Sequence, residues 1–228
     1  PSQSTIAIHT EDLKKVSQLF DKILNSSNEI SGSVYIPDEP KSKKFELNKN
    51  QIFKFNDLKY KGSFLAFRLE GDKKSIEERK KNLAKELELN KLKTSTLDIH
   101  QSVLFWQKIN NLELFASTKN NVLRAVVPLA NNEKLMKYLK NKYKYYIDWS
   151  GSLFWIEVAD KDEKKIKEIK KFILKIDGYL TIIKRSENFS FDENLFTINE
   201  NRLFISRKIK ESFDPKRIFN PGKMYREI

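Results

Sequence analysis

Arg124 is a cation within an otherwise apolar segment, and this combination of residue types could bind a substrate. Segment 122–127 predicts a β-strand that Pro128 ends. The planar guanidinium of an arginine can hold a carboxylate through two parallel hydrogen bonds. The alternation of Leu123 and Ala125 with Arg124 also allows a position on the solvated face of an edge strand. Arg124 is therefore a candidate carboxylate anchor in a substrate pocket, and a solvated position is the alternative.

The turn formed by Asp148, Trp149, Ser150 and Gly151 is a second candidate, because it joins two segments rich in aromatic residues. Serine followed by glycine favours a turn, and glycine lets the backbone approach a ligand closely. Tryptophans such as Trp149 and Trp155 more often belong to a core than stack on a ligand. A loop at the end of a sheet can still line a pocket. Asp148, Trp149 and Ser150 are therefore candidate substrate-pocket residues.

Local motifs for metal binding, phosphate binding and nucleophilic catalysis are absent from the sequence. His9 and His100 lie far apart, and the chain has no cysteine, which excludes disulfides, iron–sulfur ligation and zinc–thiolate sites within it. Only 6 glycines occur, and none forms a P-loop, a G-x-G-x-x-G loop or a G-x-S-x-G turn. The sequence therefore predicts no metal site and identifies no catalytic residue.

Hydrophobic periodicity predicts the elements that carry the candidate residues. Strands are predicted near 5–9, 31–36, 63–69, 95–99, 122–127, 145–149, 153–158 and 179–183, and helices near 11–26, 73–89, 99–111 and 200–213. A further helix, capped by Asn131 or Asn132, carries Leu135, Met136 and Leu139, and another has an apolar face that runs from Ile166 to Ile176. Each half follows the order strand–helix–strand–strand–helix–strand of a ferredoxin-like unit. We therefore predict an α+β fold in which an antiparallel sheet of two ferredoxin-like halves carries helices on one face. The predicted domains are 1–98 for the first half, 99–185 for the linking helix and second half, and 186–228 for a C-terminal helix and strap.

The composition indicates a folded, basic chain. Of its 228 residues, 39% are hydrophobic, which is enough apolar mass for a core. The formal net charge of +13 could attract nucleic acid, an anionic membrane or acidic partners. The lysines are dispersed over nearly every predicted helix, so a solvated surface is the alternative to a functional basic face. No apolar run approaches the length of about 20 residues that spans a bilayer, and the absence of cysteine fits a reducing compartment.

The C-terminal segment 213–225 combines large apolar side chains with two proline turns and no regular period. A disordered end would not keep so many large apolar groups. The segment therefore predicts an ordered strap that docks on another surface. Its large apolar residues are Phe213, Ile218, Phe219, Met224 and Tyr225.

The strap resembles the C-terminal signature of FAD-linked oxidases of the vanillyl-alcohol oxidase type, which runs from an Asp-Pro turn through an Asn-Pro-Gly turn to a tyrosine. Residues 210–225 fit nearly every position of it. The stretches 105–109, 122–128 and 146–155 resemble the FAD-binding subunits of glycolate oxidases in particular. The similarity covers about residues 60–228, and the first 60 residues match only in the order of their elements.

This resemblance implies an antiparallel cap domain over a flavin that a separate N-terminal FAD domain holds, a domain we expect to be absent from this chain. Carried over, Asn220, Pro221, Gly222 and Lys223 are candidate cofactor-binding residues. The implied reaction is the oxidation of glycolate or a similar small 2-hydroxy acid to the 2-oxo acid, with FAD as the hydride acceptor. The implied partners are a second flavin-binding subunit and an iron–sulfur subunit. The implied location is the cytoplasm, with membrane contact through partners.

Two other functions fit the same sequence. Tandem ferredoxin-like units with a charge of +13 could form a non-catalytic module that binds RNA or an acidic protein on the free sheet face. The aromatic RNP signature of RNA-binding modules is absent, so no nucleic-acid partner is expected. The third interpretation is a purely structural subunit that docks others through its strap.

Overall fold

The computed structural model describes residues 2–38, 62–159, 162–187, 195–223 and 225, so Met224 of the predicted strap lies outside the described residues. The strands are β1 (Ser2–His9), β2 (Gly32–Ile36), β3 (Phe64–Gly71), β4 (Thr94–Leu97), β5 (Asn121–Val126), β6 (Lys144–Asp148), β7 (Leu153–Val158) and β8 (Tyr179–Lys184). The helices are α1 (Leu13–Leu24), α2 (Lys73–Glu86), α3 (Ile99–Asn110), α4 (Asn132–Leu139), α5 (Glu163–Lys175) and α6 (Glu200–Phe213). Among these residues no helix combines the length and the apolarity needed to cross a membrane.

All eight strands form one antiparallel sheet in the order β4-β1-β3-β2-β6-β7-β5-β8. Within each half, the fourth strand lies beside the first, the first beside the third and the third beside the second, which is the ferredoxin-like arrangement. The two halves meet where β2 pairs with β6, through the single residue pair Tyr35 and Ile147. The predicted α+β fold with two ferredoxin-like halves is therefore confirmed.

The main core lies between one face of the sheet and helices α1, α2, α4 and α5. Alternate strand residues point into it, because successive side chains of a strand lie on opposite faces. Aspartates begin two of these helices: Asp12 accepts hydrogen bonds from the backbone of Lys14 and Lys15, and Asp72 does the same at α2. The residues of the main core include Ile6, Ile8, Val16, Phe20, Phe67, Ile76, Leu83, Leu123, Ala125, Leu135, Met136, Phe154, Ile156, Ile166, Ile169 and Ile173.

The linking helix α3 lies on the opposite face of the sheet, over the first half. It begins with a capping box in which Asp98 and Gln101 exchange side-chain and backbone hydrogen bonds. The indole nitrogen of Trp106 donates a 2.9 Å hydrogen bond to the Thr5 hydroxyl. This helix and the turn after it bury a second core. The prediction of helices on one face therefore holds for α1, α2, α4 and α5 and not for α3. That second core includes Ala7, Val34, Phe64, Ala66, Phe105, Trp106, Ile109, Phe115, Val122 and Tyr146.

Candidate functional site

The second half of the sheet carries half-buried residues on the face that points away from its helices. We call this surface the open face and define it by Arg124, Val126, Asp148, Trp155 and Thr181. It lies between two covered regions. On one side Phe115 stacks on Tyr146, with ring centroids 5.7 Å apart, and on the other the start of α6 places Arg202 4.3 Å from the ring centroid of Tyr179.

Arg124 lies in the middle of the open face because Leu123 and Ala125, its neighbours in β5, point into the helix-side core. In the sheet register it is opposite Trp155 on β7 and Thr181 on β8. β5 is a central strand of this half rather than an edge strand. Arg124 is therefore half-buried among aromatic and hydroxyl side chains, and the alternative position on a solvated edge strand does not apply.

Trp149 lies over Arg124, with the guanidinium carbon 4.9 Å from the centre of the indole ring. A cation placed over an aromatic face in this way is attracted by the ring and loses conformational freedom. The N–H groups of a guanidinium point outward in its own plane, so a ring stacked on the flat side does not block them. Trp149 itself is 58% exposed. The structure thus brings two of the predicted pocket residues together, although they are 25 positions apart in the chain, the difference between 149 and 124.

The turn that presents Trp149 has an uncommon backbone. Trp149, Ser150 and Gly151 have φ values of 50°, 51° and 95°. Residues other than glycine rarely adopt positive φ values of this kind. A methyl group at Gly151 would lie 2.7 Å from an atom of Asn132 and 2.8 Å from an atom of Phe20. The turn is therefore packed tightly on the helix side of the sheet, and this packing holds Trp149 out on the other side.

Ser150 does not reach the open face. Its hydroxyl lies 2.9 Å from the hydroxyl of Ser33 on β2, a buried residue that shares the helix-side face with Tyr35. Ser150 thus ties the turn to the first half of the sheet. Of the predicted pocket residues, Arg124, Asp148 and Trp149 lie together at the open face, and Ser150 lies behind it.

Asp148 ends β6 on the open face and accepts a 2.8 Å hydrogen bond from the backbone N–H of Trp149. Burial raises the pKa of Asp148 above the ordinary value, and the hydrogen bond from Trp149 opposes that rise. Its carboxyl group is therefore a hydrogen-bond acceptor whose proton affinity is higher than that of a surface aspartate.

The open face also contains residues that sequence reasoning did not select. Trp155 stacks near Tyr146, with centroids 6.5 Å apart, and Thr181 is the neighbour of Arg124 on the far strand. Strand alternation, which puts both residues on the same face as Arg124, was the sequence signal that could have identified them. The pairing of three separate strands was still needed to bring them together.

The predicted strap is exposed along its apolar residues. Phe213, Ile218 and Phe219 are 84%, 68% and 65% exposed. Asn220 and Gly222 have φ values of 47° and 68°, and the space around a methyl group placed at Gly222 is open for at least 4 Å. The turn from Asn220 to Lys223 is therefore accessible, and no described part of the chain covers the apolar side chains before it.

The strap is nevertheless held in shape by its own hydrogen bonds. The Asp214 carboxylate accepts 2.9 Å hydrogen bonds from the backbone N–H groups of Ile218 and Phe219, and it lies 2.7 Å from the Lys210 ammonium. Lys210 also donates to the carbonyl of Phe219. The hydrogen bond from Lys210 is the main reason that the pKa of Asp214 is lowered to about 2. An ordered segment that exposes large apolar groups is typical of a docking element.

Groups of three or more histidine, cysteine, aspartate or glutamate side chains that could hold a metal ion do not occur in the described ranges. His9 on β1 is hydrogen-bonded to Ser95 on β4 at 2.9 Å, and His100 lies on α3. His9 therefore lies in the first half and His100 in the linking helix, away from the open face.

No protein-family model matches the sequence, and no curated protein matches it. Solved structures do match the fold. The structure of p-cresol methylhydroxylase with substrate bound aligns with a TM-score of 0.65 at 13% identity, covering 98% of this chain and 52% of that one. The isoeugenol complex of 4-ethylphenol oxidase from Gulosibacter chungangensis has a TM-score of 0.59 at 13% identity, with coverages of 98% and 53%. Alkyldihydroxyacetonephosphate synthase has a TM-score of 0.51 at 18% identity, with coverages of 98% and 45%.

The chain therefore shares its fold with these three solved structures. The chain spans about half the length of each solved structure that it matches. At identities of 13% to 18% the likeness establishes the fold alone.

Proposed function

We propose that this chain is the C-terminal, substrate-side portion of an FAD-linked oxidoreductase subunit that oxidises glycolate or a similar small 2-hydroxy acid. The observation that supports this most directly is the half-buried Arg124, which Trp149 holds on the open face. The FAD-linked oxidase fold and the signature-like strap support the same class of reaction.

Arg124 is proposed to bind the substrate carboxylate. Its guanidinium carbon is fixed 4.9 Å from the Trp149 ring, so its N–H groups can meet a carboxylate with little further loss of freedom. Asp148 lies at the end of β6, two strands away in the sheet, and its raised pKa favours hydrogen bonding with a hydroxyl group. A small 2-hydroxy acid offers both groups, whereas a simple phenol has no carboxylate for the arginine.

The residues present fit one side of a flavin and not the whole cofactor. The exposed turn from Asn220 to Lys223, with open space beside Gly222, can approach a flat ring closely. The sequence has no glycine-rich loop for the pyrophosphate, which another segment or domain would have to supply. When bound, FAD accepts the hydride that the substrate loses. The strap's Ile218 and Phe219 would then be buried against the body that holds the cofactor.

The electrons are proposed to pass to partner subunits, one a second flavin-binding chain and one an iron–sulfur protein. The chain has no cysteine to ligate an iron–sulfur cluster, so the cluster would belong to a partner. The net charge of +13 favours association with acidic partners. We further propose a cytoplasmic location, with any membrane contact made by those partners.

Replacing Arg124 with glutamine in the full-length, flavin-loaded protein tests the proposal. We expect the KM for glycolate to rise by about tenfold or more, because a charged hydrogen-bonding pair contributes about 1.5–3 kcal/mol. The flavin should stay bound, since Arg124 is assigned to the substrate. The measurement is the loss of visible flavin absorbance on mixing with glycolate under anaerobic conditions.

Arg68→Gln is the matched control. Arg68 also stacks on a tryptophan, with 5.0 Å between its guanidinium carbon and the Trp106 ring centre, but its N–H groups are already bonded to Ser31 and it pairs with Glu70 at 3.1 Å. This variant should leave the KM for glycolate unchanged. Equal effects of the two substitutions would refute the role of Arg124. Flavin reduction by p-cresol and not by glycolate would change the substrate class, and steeply salt-dependent RNA binding would favour the non-catalytic module.

A further inference from the structure

The turn that carries Trp149 changes the face of the sheet on which this side chain lies. Along β6, Ile147 points into the helix-side core and Asp148 points to the open face. Had β6 continued, strand alternation would have turned the side chain of residue 149 back into the core. The φ values of Trp149 and Ser150, 50° and 51°, prevent this, and Trp149 lies over Arg124 instead. The position of Trp149 therefore depends on a backbone conformation that most side chains avoid.

Ser33 of β2 provides a hydrogen bond that holds this conformation. β2 pairs with β6 at Tyr35 and Ile147, and by the same register residue 149 would lie opposite Ser33. The chain leaves the strand pairing at this point, and the hydroxyl groups of Ser33 and Ser150, 2.9 Å apart, join the turn to β2 instead. Ser33 is only 1% exposed, and β2 is a central strand that also pairs with β3. The hydrogen bond thus connects the turn to a well-packed part of the first half.

The other contacts of the turn lie at its two ends. The Asp148 carboxylate accepts from the backbone N–H of Trp149, and the backbone N–H of Ser152 donates to the Trp149 carbonyl at 3.2 Å. Gly151 packs against the helix side of the sheet. A sparsely populated backbone conformation persists only where the surrounding structure imposes it. Without the Ser33 hydroxyl, the side chain of Ser150 loses this partner, and residues 149 and 150 are free to relax toward a strand conformation.

We propose that Ser33 is a positioning residue for Arg124, an inference that rests on the proposed function. Its hydroxyl holds Ser150 in the left-handed region, the turn keeps Trp149 on the open face, and the indole ring restrains the Arg124 guanidinium. The guanidinium is then already ordered when a substrate carboxylate arrives, so less conformational freedom is lost on binding. The first half of the sheet thereby influences how tightly the second half binds the substrate, without touching it.

Ser33→Ala, Ser150→Ala and the double variant test this series of contacts in the full-length, flavin-loaded protein. Each should raise the KM for glycolate by about two- to fivefold, the equivalent of one exposed cation–π contact, and leave kcat and flavin content unchanged. The double variant should be no worse than either single variant, since all three remove the same hydrogen bond. Effects that multiply in the double variant would overturn the proposal.

Ser102→Ala is the matched control, because it also breaks a buried pair of hydroxyl groups in the part of the sheet that precedes β5. The Ser102 hydroxyl lies 2.6 Å from that of Thr5, which accepts the hydrogen bond from the Trp106 indole. In ¹⁹F NMR spectra of 5-fluorotryptophan-labelled protein, Ser33→Ala should move the Trp149 signal and leave that of Trp106 in place. Ser102→Ala should do the reverse and leave the KM unchanged.

The fluorine spectra also separate this proposal from the proposed function. An unmoved Trp149 signal in Ser33→Ala would overturn the positioning role. So would a moved signal with an unchanged KM, if Arg124→Gln raises the KM as expected. If Arg124→Gln leaves the KM unchanged, the proposed function fails, and the Trp149 signal alone decides whether Ser33 holds the turn over Arg124.

Discussion

Gly151 ends the turn that carries Trp149, and replacing it with alanine tests whether packing on the helix side fixes this turn. The new methyl group would lie 2.7 Å from Asn132 Nδ2, 2.8 Å from Phe20 Cδ2 and 2.9 Å from Leu129 Cδ1. The backbone φ of 95° at residue 151 is also unfavourable for alanine. Asn132 and Phe20 are fully buried, so neither can move aside into solvent.

The expected loss of stability follows from these two effects. A left-handed backbone costs a residue other than glycine about 1–2 kcal/mol. Forcing extra volume into a packed core costs about 1–3 kcal/mol. Gly151→Ala should therefore lower the free energy of unfolding by about 2–5 kcal/mol, a large part of the 5–15 kcal/mol of an ordinary domain. In urea this lowers the unfolding midpoint by roughly 1–2.5 M if the slope is about 2 kcal/mol per M.

Urea unfolding followed by circular dichroism measures this change, and Gly222→Ala is the control. Gly222 also has a positive φ, of 68°, but a methyl group there contacts nothing within 4 Å. Its variant should show the backbone cost alone, about 1–2 kcal/mol at most. The difference between the variants then isolates the clash at Gly151. If both unfold at the same urea concentration, the tight packing of the turn is not real and the placement of Trp149 loses its support.

Two further predictions concern other parts of the chain. Asp214→Asn should loosen the strap, seen as faster amide hydrogen exchange at Ile218 and Phe219, whose N–H groups the carboxylate binds at 2.9 Å. The pKa of Asp214 is about 2 in the folded chain, whereas an aspartate in an unfolded chain has a pKa of about 4. The wild-type strap should therefore be fully stabilised above about pH 4 and lose that stabilisation as the pH falls toward 2. Trp106→Phe removes the 2.9 Å hydrogen bond to Thr5 and should lower the free energy of unfolding by about 1–3 kcal/mol in a urea titration; an unchanged midpoint would contradict the role given to α3.

The order of the elements was readable from the sequence, because strand and helix periodicity are local properties of the chain. The alternation in β5 predicted that Arg124 lies on the other face of the strand from Leu123 and Ala125, and the structure agrees. The apolar strap was also recognisable from Phe213, Ile218 and Phe219, which remain exposed in the fold. The repeated order of strands and helices was sufficient to predict two ferredoxin-like halves.

The tertiary structure alone placed α3 on the opposite face from α1, α2, α4 and α5, since its amphipathic pattern shows that one side is buried and not what buries it. It alone separated Trp149 from Ser150, neighbours in sequence that lie on opposite sides of the sheet. Each of these features depends on contacts between residues far apart in the chain, and their energies come from packing that no local sequence pattern encodes.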